Sequence, residues 1–270
     1  MLNIENFKKK FRIHFVFYLF SSMSTTKDLA DFYDKEALKY YLSRKKYWSD
    51  GKIILQYFSK IYKKNLRVLE LWCWGWRWLT LLKENIQTPF SYIWIDISRE
   101  LLNLAKKDYP EAEFICDDMF NYLSKSKQES FDCVLWFACF QHIDNEKERF
   151  EIMKDIYKSL SYWWELIFTN RSLSYWFLKK YWETIIVSRA KSFFSLWKYS
   201  WRDIYIPWTS ENGKQYRYYH LFWLNELKIL AERSWFSVEE CCYLDKNWEK
   251  ISSRKNSHNS FLVARKWIFK

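Results

Sequence analysis

Between residues 66 and 170, short apolar runs alternate with stretches whose apolar positions recur at helical spacing. Leu66–Leu71, Phe90–Ile95, Glu113–Cys116, Phe131–Phe137 and Glu165–Asn170 are short, mostly apolar runs, which predicts strands. The intervening Leu79–Glu84, Arg99–Lys107, Phe120–Ser124 and Asn145–Leu160 predict helices. Repeated strand–helix units of this length imply a parallel sheet with helices on both faces. Upstream, Leu29, Phe32, Tyr33, Ala37, Tyr40 and Tyr41 predict two helices between about Lys27 and Tyr62. Downstream of Arg171 the pattern loosens. Residues 172–192 read as helical, residues 195–220 are aromatic and basic without a clear period, and Leu224–Ser234 reads as a helix. Two last strands, Ser237–Leu244 and Phe261–Ala264, flank the polar run Asp245–Asn259 and would finish the sheet with an antiparallel strand. The expected fold class is α/β, with a mostly parallel seven-stranded sheet.

A chain of 270 residues can bury a full core as one domain. Residues 1–22 carry Lys8, Lys9, Lys10 and Arg12 and then a short apolar run broken by His14. That run is too short to span a bilayer and no small-residue cleavage site follows. The segment reads as a spurious or disordered extension ahead of Met23. Residues 23–270 then form a single domain: a helical cover over 23–65, a core over 66–170 and a basic part over 171–270. Charge marks the last of these. Residues 23–170 hold 22 basic and 22 acidic side chains, whereas residues 171–270 hold 18 and nine, a local net charge of +9. A basic back half fits contact with a polyanion, and equally a lysine-rich solvated surface. The six Cys lack metal-ligand spacing, so no metal site is expected, and they read as small hydrophobes of a reducing, cytoplasmic compartment.

Composition also carries an anomaly. The chain has 18 Trp and three Gly. Average Gly usage of roughly 7% would give about 19 in this length. Four of the Trp interrupt Arg67-Val68-Leu69-Glu70-Leu71-Trp72-Cys73-Trp74-Gly75-Trp76-Arg77-Trp78. With Gly in those places the stretch becomes a strand, a glycine loop and a helix start, the opening of a nucleotide-type cofactor site. Such a turn needs residues without Cβ, so that backbone N–H groups can approach a ligand at a helix N-terminus. Trp94, Trp163-Trp164, Trp235 and Trp248 also stand where Gly is expected. Most of the Trp are therefore read as UGA codons that the organism decodes as glycine.

Acids close the predicted strands in order. Glu70 ends the first strand and Asp96 the second, 21 residues after Gly75. An acid about 20 residues beyond the glycine loop can accept hydrogen bonds from both ribose hydroxyls of an adenosine cofactor. Asp117-Asp118-Met119 closes the third strand, where an acid can accept from the adenine amino group and Met can pack on the ring. A dinucleotide and S-adenosylmethionine both remain open on these residues, although Glu70 facing the loop suits a ligand that carries an ammonium group. The whole order, with Phe131-Asp132-Cys133-Val134-Leu135 as the fourth strand, resembles the Rossmann-like class I S-adenosylmethionine-dependent methyltransferases over residues 66–170. The resemblance implies S-adenosylmethionine as cofactor. It places Glu70, Trp72, Cys73, Trp74 and Gly75 at the methionine part, Asp96 and Ile97 at the ribose, Asp117, Asp118 and Met119 at the adenine, and Phe137 facing the methyl group. The departure is Trp at 72, 74, 76 and 78, whose indoles would fill the methionine space.

Further on, Asp203-Ile204-Tyr205-Ile206-Pro207-Trp208, Tyr216-Arg217-Tyr218-Tyr219-His220-Leu221-Phe222 and Asn225-Glu226-Leu227 are similar to the C-terminal part of the tRNA wobble-uridine carboxymethyl methyltransferases. Phe140-Gln141-His142 and Arg149 fit the same pattern, although that family more often has two His there. The resemblance implies a carboxymethyl group on uridine of the tRNA anticodon loop as methyl acceptor, and a small zinc-containing partner protein. Arg217 would pair with a carboxylate or phosphate, Tyr218 or Tyr219 would stack on a base and His220 would hydrogen-bond the acceptor. A carboxylate is already ionised near pH 7, so in-line positioning would carry most of the catalysis. Two other readings share these residues: a small-molecule or quinone-type methyltransferase of the same fold, and a non-catalytic methyltransferase-like subunit that binds RNA or a partner.

Overall fold

The computed structural model describes residues 26–44, 51–58, 65–72, 77–194, 200, 202–210 and 213–267. Three helices lead: α1 (Thr26–Lys35), α2 (Ala37–Arg44) and α3 (Gly51–Phe58). Two were expected. Glu36 interrupts the first, but the Glu36 N–H donates to the Phe32 carbonyl and the Tyr40 N–H to the Glu36 carbonyl, so helical bonding runs across the break. Strand β1 (Leu66–Leu71) and helix α4 (Arg77–Asn85) follow, then β2 (Phe90–Asp96), α5 (Arg99–Asp108), β3 (Glu113–Cys116), α6 (Met119–Lys125) and β4 (Phe131–Phe137). A short 3₁₀ turn, Phe140–His142, leads to α7 (Glu146–Ser159) and β5 (Leu160–Arg171). The remainder is α8 (Tyr175–Lys180), α9 (Trp182–Phe194), the hairpin β6 (Asp203–Ser210) and β7 (Gly213–His220), α10 (Leu224–Arg233), β8 (Ser237–Leu244), β9 (Lys250–Ile251) and β10 (Asn259–Arg265).

The main sheet has the order β3-β2-β1-β4-β5-β10-β8-β9. Strands β1 to β5 pair in parallel, and β10 runs antiparallel to both β5 and β8. The two-residue β9 adds an eighth strand to the expected seven. Its core lies on both faces. Val68, Leu135 and Phe137 pack on one side with Trp78, Leu82 and Trp94, while Leu69, Leu71, Val134 and Trp136 pack on the other with Met153 and Ile156. Two buried faces explain why β4 is apolar at all but one position. Its one acid, Asp132, is fully buried and accepts from the Arg67 N–H at 2.9 Å and from Arg67 Nη2 at 2.9 Å, which ties β4 to β1.

Residues 195–220 showed no period, yet 203–220 contain a hairpin separate from the main sheet. Both of its faces carry apolar side chains, which hid the alternation. Ile204, Ile206 and Tyr219 pack with Leu173, Phe177 and Ile185, while Tyr205 and Tyr218 sit on the other face near Val187.

Seven described residues other than Gly have positive φ, and four of them are Trp: Trp72 (42°), Trp163 (73°), Trp235 (70°) and Trp248 (64°). Trp235 follows α10 in a Schellman arrangement. The Phe236 N–H donates to the Ala231 carbonyl and the Trp235 N–H to the Glu232 carbonyl, so Trp235 fills the left-handed position that Gly ordinarily takes. Trp248 donates to the Asp245 carbonyl at 3.2 Å and closes the β8–β9 turn, again at a left-handed position. Left-handed backbone costs a residue with a Cβ about 1–2 kcal/mol. The indole N–H groups of Trp72, Trp94 and Trp136 are also buried without a hydrogen-bond partner.

Candidate active site

A cavity of about 490 Å³ opens at the carboxyl ends of the parallel strands. Trp72 follows β1, Asp96 and Ile97 end β2, Leu101 comes from α5, and Cys139 and His142 follow β4. Leu29 and Tyr33 of α1 and Tyr40 of α2 roof it, and Arg217 of β7 reaches in from the hairpin. A second lobe, about 660 Å³, shares Leu29, Trp72, His142 and Arg217 and adds Phe120, Ile143, Asp144, Glu148, Tyr205 and Tyr218. The cavity is thus two-lobed, with Asp96 in the first lobe and the hairpin residues Tyr205 and Tyr218 in the second.

The roof is docked through the start of α5. Ser98 caps that helix, accepting from the Leu101 N–H at 3.2 Å. Its hydroxyl donates to Asp34 Oδ1 of α1 at 2.6 Å, and the same oxygen accepts from the Glu100 N–H at 3.0 Å. Asp96 lies beneath this joint, 8% exposed, and accepts from the Ser98 N–H at 2.8 Å. Burial outweighs its backbone hydrogen bonds and lifts its pKa to about 7.

Arg217 Nη1 donates to the Tyr33 hydroxyl at 3.3 Å, which joins hairpin to roof, and its guanidinium lies 5.7 Å from the centre of the Tyr219 ring. The next residue on β7 holds His142: the Tyr218 carbonyl lies 2.7 Å from His142 Nδ1. Burial, with Arg217 close by, pushes the His142 imidazole down to about 3, so the ring is neutral at ordinary pH. Gln141 has a different task. It donates to the Ala138 carbonyl at 2.6 Å and accepts from the Arg171 N–H at 2.8 Å, clamping the turn after β4 to β5.

Of the residues expected at the site, Trp72, Asp96, Ile97 and Arg217 line the cavity. Cys73, Trp74 and Gly75 lie outside the described residues. Glu70 is fully buried in β1, accepts from the Tyr92 hydroxyl and lines neither lobe. Asp117 accepts from Asn121 Nδ2 at 2.9 Å, and Asp118 caps α6, accepting from the Phe120 N–H at 2.9 Å. Met119 is a core residue packed with Leu69 and Ile95, so its side chain is not a platform for adenine. Phe137 was expected to face the methyl group, yet it packs 4.5 Å from Trp78 in the core. Ala138, at φ 54°, breaks the strand alternation, and Cys139 faces the cavity instead.

His220 and Tyr219 also differ from expectation. The His220 side chain is 3% exposed and bridges two carboxylates, with Nδ1 2.6 Å from Asp203 Oδ1 and Nε2 2.9 Å from Glu226 Oε1. Asp203 also accepts from the Tyr218 hydroxyl at 2.7 Å, and Glu226 pairs with Arg202. These partners outweigh the cost of burial and hold both carboxyls below their usual range. Neither His220 nor Tyr219 lines the two lobes. Tyr219 packs in the hairpin core, edge-on to His142 at 4.5 Å. The tie between hairpin and α10 is structural, and the acceptor roles expected for these two side chains are not what their surroundings serve.

S-adenosylmethionine fits this constellation in its adenosine half, where a buried acid stands at the end of β2. Trp72, with a left-handed backbone, stands in the cavity wall just after β1. A glycine there would take the same φ without strain and clear the wall.

Residues 68–161 match the family described as methyltransferase domain. No curated protein matches the chain. A Methanosarcina mazei S-adenosylmethionine-dependent methyltransferase superposes with a TM-score of 0.58 at 20% identity, covering 80% of this chain and 98% of the other. A methyltransferase of the same dependence from Clostridium acetobutylicum gives 0.58 at 12% identity, covering 90% and 99%. The complex of the Haloferax volcanii Trm112 methyltransferase activator with a methyltransferase gives 0.59 at 11% identity, covering 89% and 98%. Among the described residues no helix is long and apolar enough to cross a membrane. Residues 68–161 thus carry a methyltransferase domain, and the sheet order with its antiparallel β10 gives the chain the class I methyltransferase fold.

Proposed function

We propose that the chain methylates a carboxylate on a modified wobble uridine of tRNA. The observation that carries this reading is Arg217, a guanidinium set into the wall of a cavity whose other end holds the cofactor-type acid Asp96. A buried arginine matches a carboxylate through two parallel hydrogen bonds. S-adenosylmethionine, when bound, supplies a methyl group on a positively charged sulfur. Asp96 and the Ile97 backbone hold its ribose, with Asp117 and Asp118 on the adenine side and Glu70 behind the loop at the methionine end. Arg217 holds the acceptor oxygen in line, and Leu29, Tyr33 and Tyr40 keep water out. The oxygen–carbon bond forms as the sulfur–carbon bond breaks. Both formal charges are lost, so no proton has to move. The basic segment 171–270 supports RNA as the carrier of the acceptor. The Haloferax complex favours a small activator protein as partner of this chain too. Mass spectrometry of tRNA nucleosides tests the reading. A strain lacking this gene should accumulate the free carboxylate and lose its methyl ester, and an unchanged nucleoside profile would refute it.

We further propose that Trp72, Trp163, Trp235 and Trp248, with most other Trp, are glycines in the natural protein. Their left-handed backbone supports this, because four of seven such positions fall on one residue type whose Cβ opposes them. Peptide mass spectrometry of the protein from its own organism should find glycine at Trp235 and Trp248. Tryptophan at both would end the idea.

A further inference from the structure

Segments 171–182 and 252–258 hold five basic side chains, Arg171, Lys179, Lys180, Arg254 and Lys255, and neither Asp nor Glu. The fold brings these segments together. Strand β10 runs antiparallel to β5 with Asn259 opposite Arg171, so the 3₁₀ turn Arg254–Asn256 ahead of β10 packs beside α8. Hydrogen bonds fix the joint. The Ser172 and Ser257 hydroxyls meet at 2.7 Å, the Ser257 hydroxyl donates to the Arg254 carbonyl at 2.6 Å, and Arg171 Nη1 donates to the His258 carbonyl at 3.4 Å. Lys179, Lys180, Arg254 and Lys255 are exposed, and among the described residues none of the four pairs with a carboxylate. They frame aromatic rings. Tyr175 is 58% exposed with Lys255 Nζ 5.9 Å from its ring centre, and Lys180 Nζ lies 5.2 Å from the ring centre of Tyr181. Position 176 falls among the tryptophans that recoding would turn into glycine, so the exposed ring that counts here is Tyr175. This rim adjoins the cavity, which opens at the carboxyl ends of the parallel strands. Arg171 ends β5, and its N–H donates to Gln141, whose neighbour His142 lines the cavity.

A partner that neutralises such a rim carries closely spaced negative charges, and one that uses Tyr175 carries flat faces to stack on it. Unpaired RNA has both, in its phosphates and its bases. An anionic membrane has the charges, but the aliphatic side chains of the rim, Leu173 and Leu178, pack inward with the hairpin and offer acyl chains no wedge. We infer that α8 and the 3₁₀ turn before β10 form an RNA-binding platform that holds a single-stranded loop beside the cavity mouth. Tyr175 stacks on a base, and Lys179, Lys180, Arg254 and Lys255 contact phosphates. This deepens the tRNA reading, rests on it and adds the surface on which the RNA lies.

The test uses the full chain, unmethylated tRNA from a strain lacking the gene, and vesicles of phosphatidylserine and phosphatidylcholine. Fluorescence anisotropy reads tRNA affinity against salt. Replacing Lys179, Lys180, Arg254 and Lys255 together by Gln should weaken tRNA binding at least about tenfold and flatten the salt slope by about 3, at roughly 0.7 per lost phosphate contact. Tyr175→Ala should weaken binding about tenfold with the slope unchanged, and Tyr175→Phe, which keeps the ring, should bind as the natural chain does. Thermal melts and S-adenosylmethionine affinity should stay the same in all three, since every replaced side chain is exposed. Replacing the exposed Lys106, Lys107, Lys125 and Lys127 by Gln removes the same charge elsewhere and should leave tRNA affinity nearly unchanged. An equal loss in that control, or full tRNA affinity in the rim variants, overturns the inference while leaving the tRNA reading standing. Vesicle binding that the rim variants abolish, with tRNA affinity untouched, overturns it in favour of a membrane. A natural chain that binds S-adenosylmethionine in calorimetry but no tRNA overturns both.

Discussion

Replacing Asp96 by Asn should remove a pH dependence built into the fold. The carboxyl is 8% exposed, and burial raises its pKa from 3.8 to about 7. Between those values the folded chain holds a proton that the unfolded chain has released. Folding stability therefore falls as pH rises from about 4 to about 7, and the loss is complete above that. Integrating the two titrations gives about 2–3 kcal/mol lost between pH 5 and pH 8. Asp96→Asn keeps an oxygen to accept from the Ser98 N–H and cannot ionise, so it should lack that slope and be the more stable protein at pH 8. Urea unfolding of both proteins at the two pH values, without cofactor, measures it. A wild-type minus variant difference that stays constant from pH 5 to pH 8 would refute the reasoning, because a buried ionisable Asp96 must make it vary. Cofactor binding should run the opposite way. In the proposed role on the ribose Asp96 acts as the ionised carboxylate, populated at about one-tenth at pH 6 and nine-tenths at pH 8, so calorimetry should find affinity about tenfold weaker at pH 6. In Asp96→Asn it should be weak and flat.

Arg217→Ala should lower kcat/KM on tRNA by about tenfold to 100-fold, the loss of one hydrogen-bonded charge, with S-adenosylmethionine affinity nearly unchanged in calorimetry. Full turnover by that variant would move the acceptor elsewhere. His220→Ala leaves Asp203 and Glu226 without their shared partner and should cost about 3 kcal/mol in chemical unfolding, as broken buried pairs do. A stable His220→Ala protein that binds cofactor but cannot methylate tRNA would restore its expected acceptor role. Affinity for tRNA should fall steeply between about 50 and 200 mM salt, because phosphate contacts release counterions. Salt-independent binding in a filter assay would favour a small-molecule acceptor.

The sheet was legible because its chemistry is simple. Strands β1, β3 and β4 fall at the residues their runs marked, and β1 and β4, buried on both faces, read as almost uninterrupted apolar runs. Helix α7 starts where Asn145 accepts from the Lys147 N–H, a cap visible in sequence. The hairpin β6–β7 was not legible, because Ile204 and Tyr205 both meet apolar partners and erase the period of two. In the site, Asp96 and Arg217 were found from position and type. Cys139, Leu101 and the place of His142 in the wall of both lobes were not. They depend on how the Ala138 turn aims the chain and on which face of β7 meets the turn after β4, and neither leaves a mark in local sequence.

The tryptophans carry the opposite lesson. At most positions residue type and backbone agree, and agreement across levels is what lets a sequence specify a fold. At Trp235 and Trp248 they conflict within a few atoms: a left-handed φ, hydrogen bonds of turns that glycine completes, and a side chain with a Cβ. A functional site can hold one such strained residue for a purpose. Trp235 and Trp248 close an ordinary helix end and an ordinary hairpin, where strain serves no chemistry. Catalysis therefore cannot explain the set, whereas a single substitution of Trp for Gly throughout explains every member. Under the proposed reading, glycine at Trp72 would also remove an indole from the wall of the cavity.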